Sequence, residues 1–175
     1  MAFFKRIGVA RTILVVAVLL AVVIGQAKPL YAAQSELKEL FFSGDEYGIS
    51  AASQLEAKRA AAANLTTVAE RYRVDATPVS KSEWNLAQAL KTQSISRILR
   101  ENAILHEVTN DLYAALRETS LSDEDARRVS EQYADFLAAG DRFKRCGFYA
   151  AAIAFNADFD GGVYALLGVE TYPLG

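Results

Sequence analysis

The sequence predicts an all-α protein, a four- or five-helix antiparallel bundle that follows an N-terminal signal or anchor helix. Three observations support this fold class. After residue 34, apolar residues recur every three or four positions, and no segment alternates apolar and polar residues as a half-buried strand would. Helix-start and helix-stop signals separate the periodic segments. Residues 34–175 are enough for a single domain with one core.

Residues 1–33 have the three parts of a secretory signal peptide: a short basic start, an apolar core and an exit of small residues. We therefore predict that residues 34–175 are exported as a periplasmic or extracellular domain. The basic residues are Lys5, Arg6 and Arg11, the apolar core covers 13–24, and the small residues end at Ala32 and Ala33.

Two fates of this segment stay open. Cleavage after Ala32 places Leu30 three residues before the cut, and cleavage after Ala33 places Tyr31 there, whereas a small residue is typical. The alternative is an uncleaved anchor that tethers the domain to the inner membrane with its basic end inside. The apolar core is shorter than the roughly 20 residues that a spanning helix needs, which favours cleavage.

The charge balance and the cysteine content limit the class of protein. The whole chain has a net charge of −2, and removing the four basic residues of the first 33 (Lys5, Arg6, Arg11 and Lys28) leaves −6. An acidic domain disfavours a nucleic-acid partner, because phosphates require a concentrated basic face. Cys146 is the only cysteine, so no internal disulfide can form and packing must stabilise the domain.

The first two helices of the domain are predicted from apolar spacing. A short helix is expected over residues 35–42, with Leu37 and Phe41 on one side. A longer helix is expected from Ser50 to Tyr72, in a segment rich in alanine. Pro78 disfavours helical geometry in the residue before it, so the chain is expected to turn there.

A long third helix is predicted from Ser80 to Glu118. Ser80 and Glu83 have the spacing of a capping box, and no Gly or Pro interrupts the segment that follows. Asn102 and Thr109 lie on its apolar stripe, where polar residues usually find partners inside a bundle.

The remaining residues predict a fourth helix and an apolar C-terminal part. Ser122 and Asp125 repeat the capping pattern, and Gly140 is expected to end the helix. From Phe143 to Leu174 the chain contains a segment that is apolar around its whole circumference. Such a helix is either a central core helix or a docking surface for a protein partner or a membrane. The docking surface would be formed by Phe148, Tyr149, Phe155 and Phe159.

The residues that could carry catalysis are few. His106 is the only histidine, which excludes a di-iron site with two Glu-x-x-His motifs and a zinc site with several histidines. Arg145 and its basic neighbours would activate a Cys146 thiolate, but nothing in the sequence brings His106 close to it. Glu101 and Glu107 are six residues apart and do not share a helix face well. We therefore predict no enzymatic activity.

One local pattern suggests a metal. Asn156, Asp158 and Asp160 occupy alternate positions and Gly161 follows, which resembles the first half of a calcium loop of the EF-hand type. The second half is missing, because Leu167 stands where a bidentate glutamate is expected. A polar turn explains the same residues. Calcium is the one cofactor considered, and no other is predicted.

These observations predict an exported helical-bundle protein that acts without catalysis, through contact with a protein partner in the cell envelope. Two alternatives remain. One is a calcium-stabilised binding module that uses the loop at residues 156–162, and the other is a membrane-anchored subunit of an envelope assembly.

Overall fold

The computed structural model describes residues 28–46, 48–159 and 171–174, together with positions 17, 21, 25, 161, 164 and 169. All regular structure in these residues is helical, which confirms the predicted all-α class. Most of the predicted signal core at 13–24 lies outside the described residues. The helices are α1 (28–42), α2 (Ala51–Arg71), α3 (Thr77–Thr92), α4 (Ile95–Glu118), α5 (Asp123–Arg145) and α6 (Gly147–Phe159).

The helices pack around one core. The largest helix contacts join α2 to α5 and α3 to α4, while α2 also touches α3 and α4, and α5 touches α4 and α6. Helix α1 reaches α6 through the edge-to-face rings of Phe41 and Phe148, whose centroids are 4.8 Å apart. Fully buried side chains from different helices meet in this core, among them Phe41, Leu55, Leu86, Leu105 and Phe136.

Helix α1 begins earlier than the sequence indicates. Leu37 and Phe41 are buried as expected, but the helix already includes Lys28, and Leu30 is only 6% exposed within the core. The positions of the predicted cuts, after Ala32 and after Ala33, therefore lie inside α1.

No helix in the described part of the chain has the length and apolar character needed to cross a membrane.

Helix α2 has the predicted limits. The Ser50 Oγ accepts a hydrogen bond of 3.1 Å from the Ser53 N–H and caps the first turn. At the other end, Tyr72 closes the helix and Arg73 turns the chain with a φ of 57°.

The predicted third helix is wrong in its continuity and in its start. The chain breaks at Gln93 and Ser94, where Gln93 takes a left-handed conformation with φ 55° and ψ 29° and donates its N–H to the Leu90 carbonyl. No Gly or Pro marks this turn. A glutamine adopts it because the break lets α3 and α4 pack against each other and bury Leu86 and Ile98.

Helix α3 begins at Thr77 rather than after Ser80. Pro78 sits in the first turn, where its missing N–H costs nothing, and the Asp75 Oδ1 accepts from the Thr77 N–H at 2.9 Å. Glu83 forms no capping box in this arrangement. Its carboxylate instead pairs with the Arg59 guanidinium of α2.

Helix α5 starts as predicted and ends later. The Ser122 Oγ accepts from the Asp125 N–H at 3.2 Å, which confirms the cap. The predicted stop at Gly140 is wrong, because the helix continues to Arg145. A glycine without positive φ is compatible with a helix interior at a cost of about 1 kcal/mol relative to alanine.

Candidate functional site

A cavity of about 220 Å³ opens between α2, α4 and α5. Leu99 of α4 and Phe136 and Phe143 of α5 supply apolar walls, and Pro173 and Leu174 of the C-terminal segment close one side. Its polar lining comes mainly from Lys58, Asn102, His106, Asp141 and Lys144. We call this cavity the Lys58 pocket.

Lys58 is the unusual residue of the pocket. It lies in the middle of α2 and is 4% exposed, although lysine is almost never buried to this degree without a partner. Its Nζ donates to the Asn102 Oδ1 at 2.8 Å and lies 4.8 Å from the centre of the Phe136 ring. In the described residues, Lys58 forms no ion pair with a carboxylate. The ammonium group is therefore stabilised by an amide oxygen and a ring face alone.

This environment lowers the basicity of the lysine. Burial, with a smaller contribution from the positive charge of Lys144, lowers the pKa of Lys58 from 10.5 to about 8. The group remains mostly protonated at neutral pH, so the pocket contains a charged nitrogen in an apolar setting.

Gly140 explains how the lysine fits. A Cβ built on Gly140 would lie 3.9 Å from Lys58 Cε and 4.0 Å from Nζ, so the methyl group of an alanine would just touch the lysine. A longer side chain at position 140 would enter the pocket. The residue predicted to stop α5 is thus part of the pocket wall.

His106 lies at the exposed side of the pocket. Its ring stacks on Phe136 with centroids 5.7 Å apart and planes within 8°, and Nε2 lies 3.4 Å from the Asn110 Nδ2. Burial, Lys58 and Lys144 each lower the pKa of His106. These causes favour the neutral imidazole at neutral pH, where it can accept a hydrogen bond as well as donate one.

The C-terminal wall of the pocket is held by the side chain of Asn156. Its Nδ2 donates to the Tyr172 carbonyl and its Oδ1 accepts from the Tyr172 N–H, both at 2.8 Å. The amide thus pairs with the Tyr172 backbone as a neighbouring strand would, which places Pro173 and Leu174 against the pocket.

Asn156 and Asp158, two of the predicted calcium ligands, lie on α6, and Asp160 lies outside the described residues. No three His, Cys, Asp or Glu side chains in the described part of the chain are grouped to hold a metal ion. The calcium site at Asn156, Asp158 and Asp160 stays a prediction.

The predicted docking residues are divided between the core and the pocket. Phe148 and Phe155 are 1% and 3% exposed, so their rings pack inside the protein, as expected for a core helix, and form no exposed patch. Tyr149 lines the Lys58 pocket, with its ring 5.9 Å from that of Phe143. Phe159 is half-buried beside Phe155.

Cys146 behaves as a small core residue. It is buried at the end of α5 and its Sγ donates to the Phe143 carbonyl at 2.9 Å. Burial raises the pKa of the Cys146 thiol, which opposes thiolate formation. His106 lines the Lys58 pocket and Cys146 does not.

The amino-acid sequence does not distinguish Lys58 from a surface lysine. In the segment AKRAAAAN it resembles the exposed lysine of an ordinary amphipathic helix, and its burial depends on which face meets α4 and α5. The apolar stripe of α4 did contain a signal, because Asn102 was expected to find a polar partner in the bundle and that partner is Lys58.

No protein-family model matches this chain, and neither a curated protein nor a solved structure is significantly similar to it.

Proposed function

We propose that this chain is an exported helical-bundle protein that acts by binding rather than by catalysis, and that the Lys58 pocket receives a small ligand. The observation that supports the proposal is a buried lysine that opens into a largely apolar cavity. A cation without a carboxylate partner costs stability in such a place, and polar groups of this kind in a concave apolar pocket are typical of binding sites.

A fluorescent apolar probe without charge tests whether the pocket accepts ligands. We expect 1-aminonaphthalene, which is uncharged at pH 7 and has about eleven non-hydrogen atoms, to bind the wild-type chain and the Gly140→Ala variant, whose methyl group only touches Lys58. The Gly140→Leu variant should lose most of this binding, because its side chain fills the cavity. Circular dichroism would verify that both variants fold. Equal binding by the leucine and alanine variants would show that the pocket is not the site.

Contact with a protein partner in the cell envelope is the second function we propose. A groove between α1 and α6, lined in part by Ala33, Ala151 and Ala154, supports it, since small side chains permit close approach of another helix. Cross-linking and size-exclusion chromatography of the exported protein test this function. A strictly monomeric protein that captures no envelope component would contradict it.

The remaining alternatives concern the loop and the anchor. Calorimetric titration with calcium tests the calcium-stabilised module, and the absence of both heat and a thermal shift at millimolar calcium would exclude it. The mass of the intact exported protein distinguishes a cleaved domain from a membrane-anchored subunit. We also propose that α2 to α5 run antiparallel, because the links between successive helices contain only two to five residues.

A further inference from the structure

We propose that the ligand of the Lys58 pocket is an amphipathic monocarboxylate whose carboxylate binds the Lys58 ammonium group and whose apolar body fills the cavity. This inference rests on the proposed binding function and names the chemistry of the ligand.

The hydrogen-bonding capacity of Lys58 indicates an acceptor. An ammonium group has three donors, and in the described residues a single one is used, by the Asn102 Oδ1. The ring face of Phe136 accepts none of the remaining protons as strongly as an anion would. A carboxylate supplies both an acceptor and an opposite charge to a group already desolvated by the fold.

The charges around the pocket agree in sign with an anion. Lys58 of α2 and Lys144 of α5 are positive, and Asp141 of α5 is negative. Burial and the two lysines lower the pKa of His106 of α4, which favours its neutral form. Tyr149 of α6 also lines the pocket. The lining therefore has a net positive charge within an otherwise acidic domain, which concentrates the attraction for an anion in this place.

The size and walls of the cavity indicate the remainder of the ligand. A dry apolar cavity of about 150 Å³ accepts benzene, and the Lys58 pocket has about 220 Å³. It therefore has room for a ring or a short aliphatic chain together with an acid group, roughly ten to twelve non-hydrogen atoms. Leu99, Phe136, Phe143 and Leu174 supply the apolar contacts.

The number and type of cations favour a carboxylate over a phosphate. No arginine lines the pocket among the described residues, and one buried ammonium is a single point charge. A phosphate dianion is usually held by several donors or by a guanidinium fork. A monoanion matches the one buried cation.

A matched pair of probes tests this inference. Isothermal titration of the purified chain with 3-phenylpropionate and its neutral amide, 3-phenylpropionamide, compares two ligands of the same shape at pH 7. We expect the acid to bind about tenfold more tightly or better. In the wild-type chain this preference should fade as the pH rises above 8, when Lys58 loses its proton. That pH series needs no variant.

Substitution of the lysine assigns the preference to its charge. The Lys58→Met variant should bind the acid and the amide equally while it still binds 1-aminonaphthalene. Lys81→Met is the matched control, because Lys81 is exposed on α3 and does not line the pocket. Equal binding of acid and amide by the wild type would overturn the inference, as would a preference that survives in Lys58→Met.

The outcomes separate this inference from the proposed function. If 1-aminonaphthalene distinguishes the Gly140 variants but the acid has no advantage over its amide, the pocket is a binding site and the carboxylate assignment is wrong. If 1-aminonaphthalene does not distinguish the Gly140 variants and neither phenyl compound binds, both proposals fail.

Discussion

Lys58 keeps its charge at neutral pH in a place where charge is costly, and this makes stability depend on pH. The folded chain releases the Lys58 proton near pH 8, whereas an unfolded lysine releases it near 10.5. Between these values the unfolded state binds more protons, so the contribution of Lys58 to stability rises with pH. Below pH 8 both states are protonated and the unfavourable contribution is constant.

The Lys58→Met variant should therefore be more stable than the wild type at pH 7, by about 1–3 kcal/mol after the loss of the hydrogen bond to Asn102. The difference should shrink between pH 8 and 10.5, because the wild type loses its buried charge there. Urea denaturation of both proteins at several pH values measures this difference in the free energy of unfolding. A constant difference across this range would contradict the lowered pKa.

Asp125 is a second buried charged residue that affects stability. In contrast to Lys58, its surroundings favour the charged form. Hydrogen bonds from the Tyr72 hydroxyl at 2.8 Å, from Arg71 at 2.8 and 3.0 Å and from Ser122 at 3.2 Å lower the pKa of its carboxyl group. The same bonds join the end of α2 to the start of α5. A lowered pKa means that this stabilisation is present above the ordinary value of 3.8 and is lost as the pH falls through the folded value.

We expect Asp125→Asn to lower the denaturation midpoint at pH 7, and the gap from the wild type to narrow below pH 3.8. Asp123→Asn is the control, because Asp123 is an exposed acid in the first turn of the same helix. Thermal unfolding from pH 2 to 7 compares the three proteins. Equal midpoints for Asp125→Asn and Asp123→Asn at pH 7 would show that the hydrogen bonds to the Asp125 carboxylate add no stability.

At the scale of elements, the two-residue break between α3 and α4 has a cost that can be measured. Gln93 is in the left-handed region at φ 55°, where a side chain costs about 1–2 kcal/mol relative to glycine. Gln93→Gly should therefore stabilise the chain by about 0.5–1 kcal/mol.

Lys91→Gly is the matched control within the last turns of α3, where a glycine should destabilise by about 1 kcal/mol. Chemical denaturation determines both values. If both glycine variants lose the same stability, position 93 is helical and α3 and α4 form the one long helix that periodicity predicts.

The elements differ in how far the sequence predicts them. The starts of α2 and α5 were predictable because Ser50 and Ser122 cap their own helices through local hydrogen bonds. The break at Gln93 was not, because its benefit comes from packing between two helices and no Gly or Pro marks it. The predicted helix end at Gly140 was wrong, because this glycine leaves room for the Lys58 side chain and does not end α5.

The candidate site likewise contains features that helix periodicity predicts and features that depend on the packing of several helices. The inward position of Phe136 and the need of Asn102 for a partner follow from helix periodicity. The burial of Lys58 follows from the way three helices assemble, which one helix face cannot reveal. The pairing of Asn156 with Tyr172 joins residues 16 apart, a separation at which no local sequence signal predicts a contact.

At the scale of the whole molecule, the start of α1 can be tested for its contribution to the stability of the fold. Leu30 is buried in the core while its neighbour Tyr31 is 69% exposed. In the full chain we expect Leu30→Ala to destabilise by about 2–4 kcal/mol, and Tyr31→Ala to change stability by about 0.5 kcal/mol or less.

Thermal and urea unfolding of the two variants measures this difference. If Leu30→Ala unfolds like Tyr31→Ala, the start of α1 does not contribute to the core.

The helical conformation of Ala32 and Ala33 limits when the chain could be cleaved after either residue. Proteases generally bind their substrates as extended backbone, and a peptide bond within a packed helix must first unfold locally before it can be cut. Removal of the N-terminal segment would therefore have to precede the docking of α1 onto the core. If the chain is exported as we propose, the relative rates of cleavage and folding would then decide whether a molecule becomes a free domain or a tethered one.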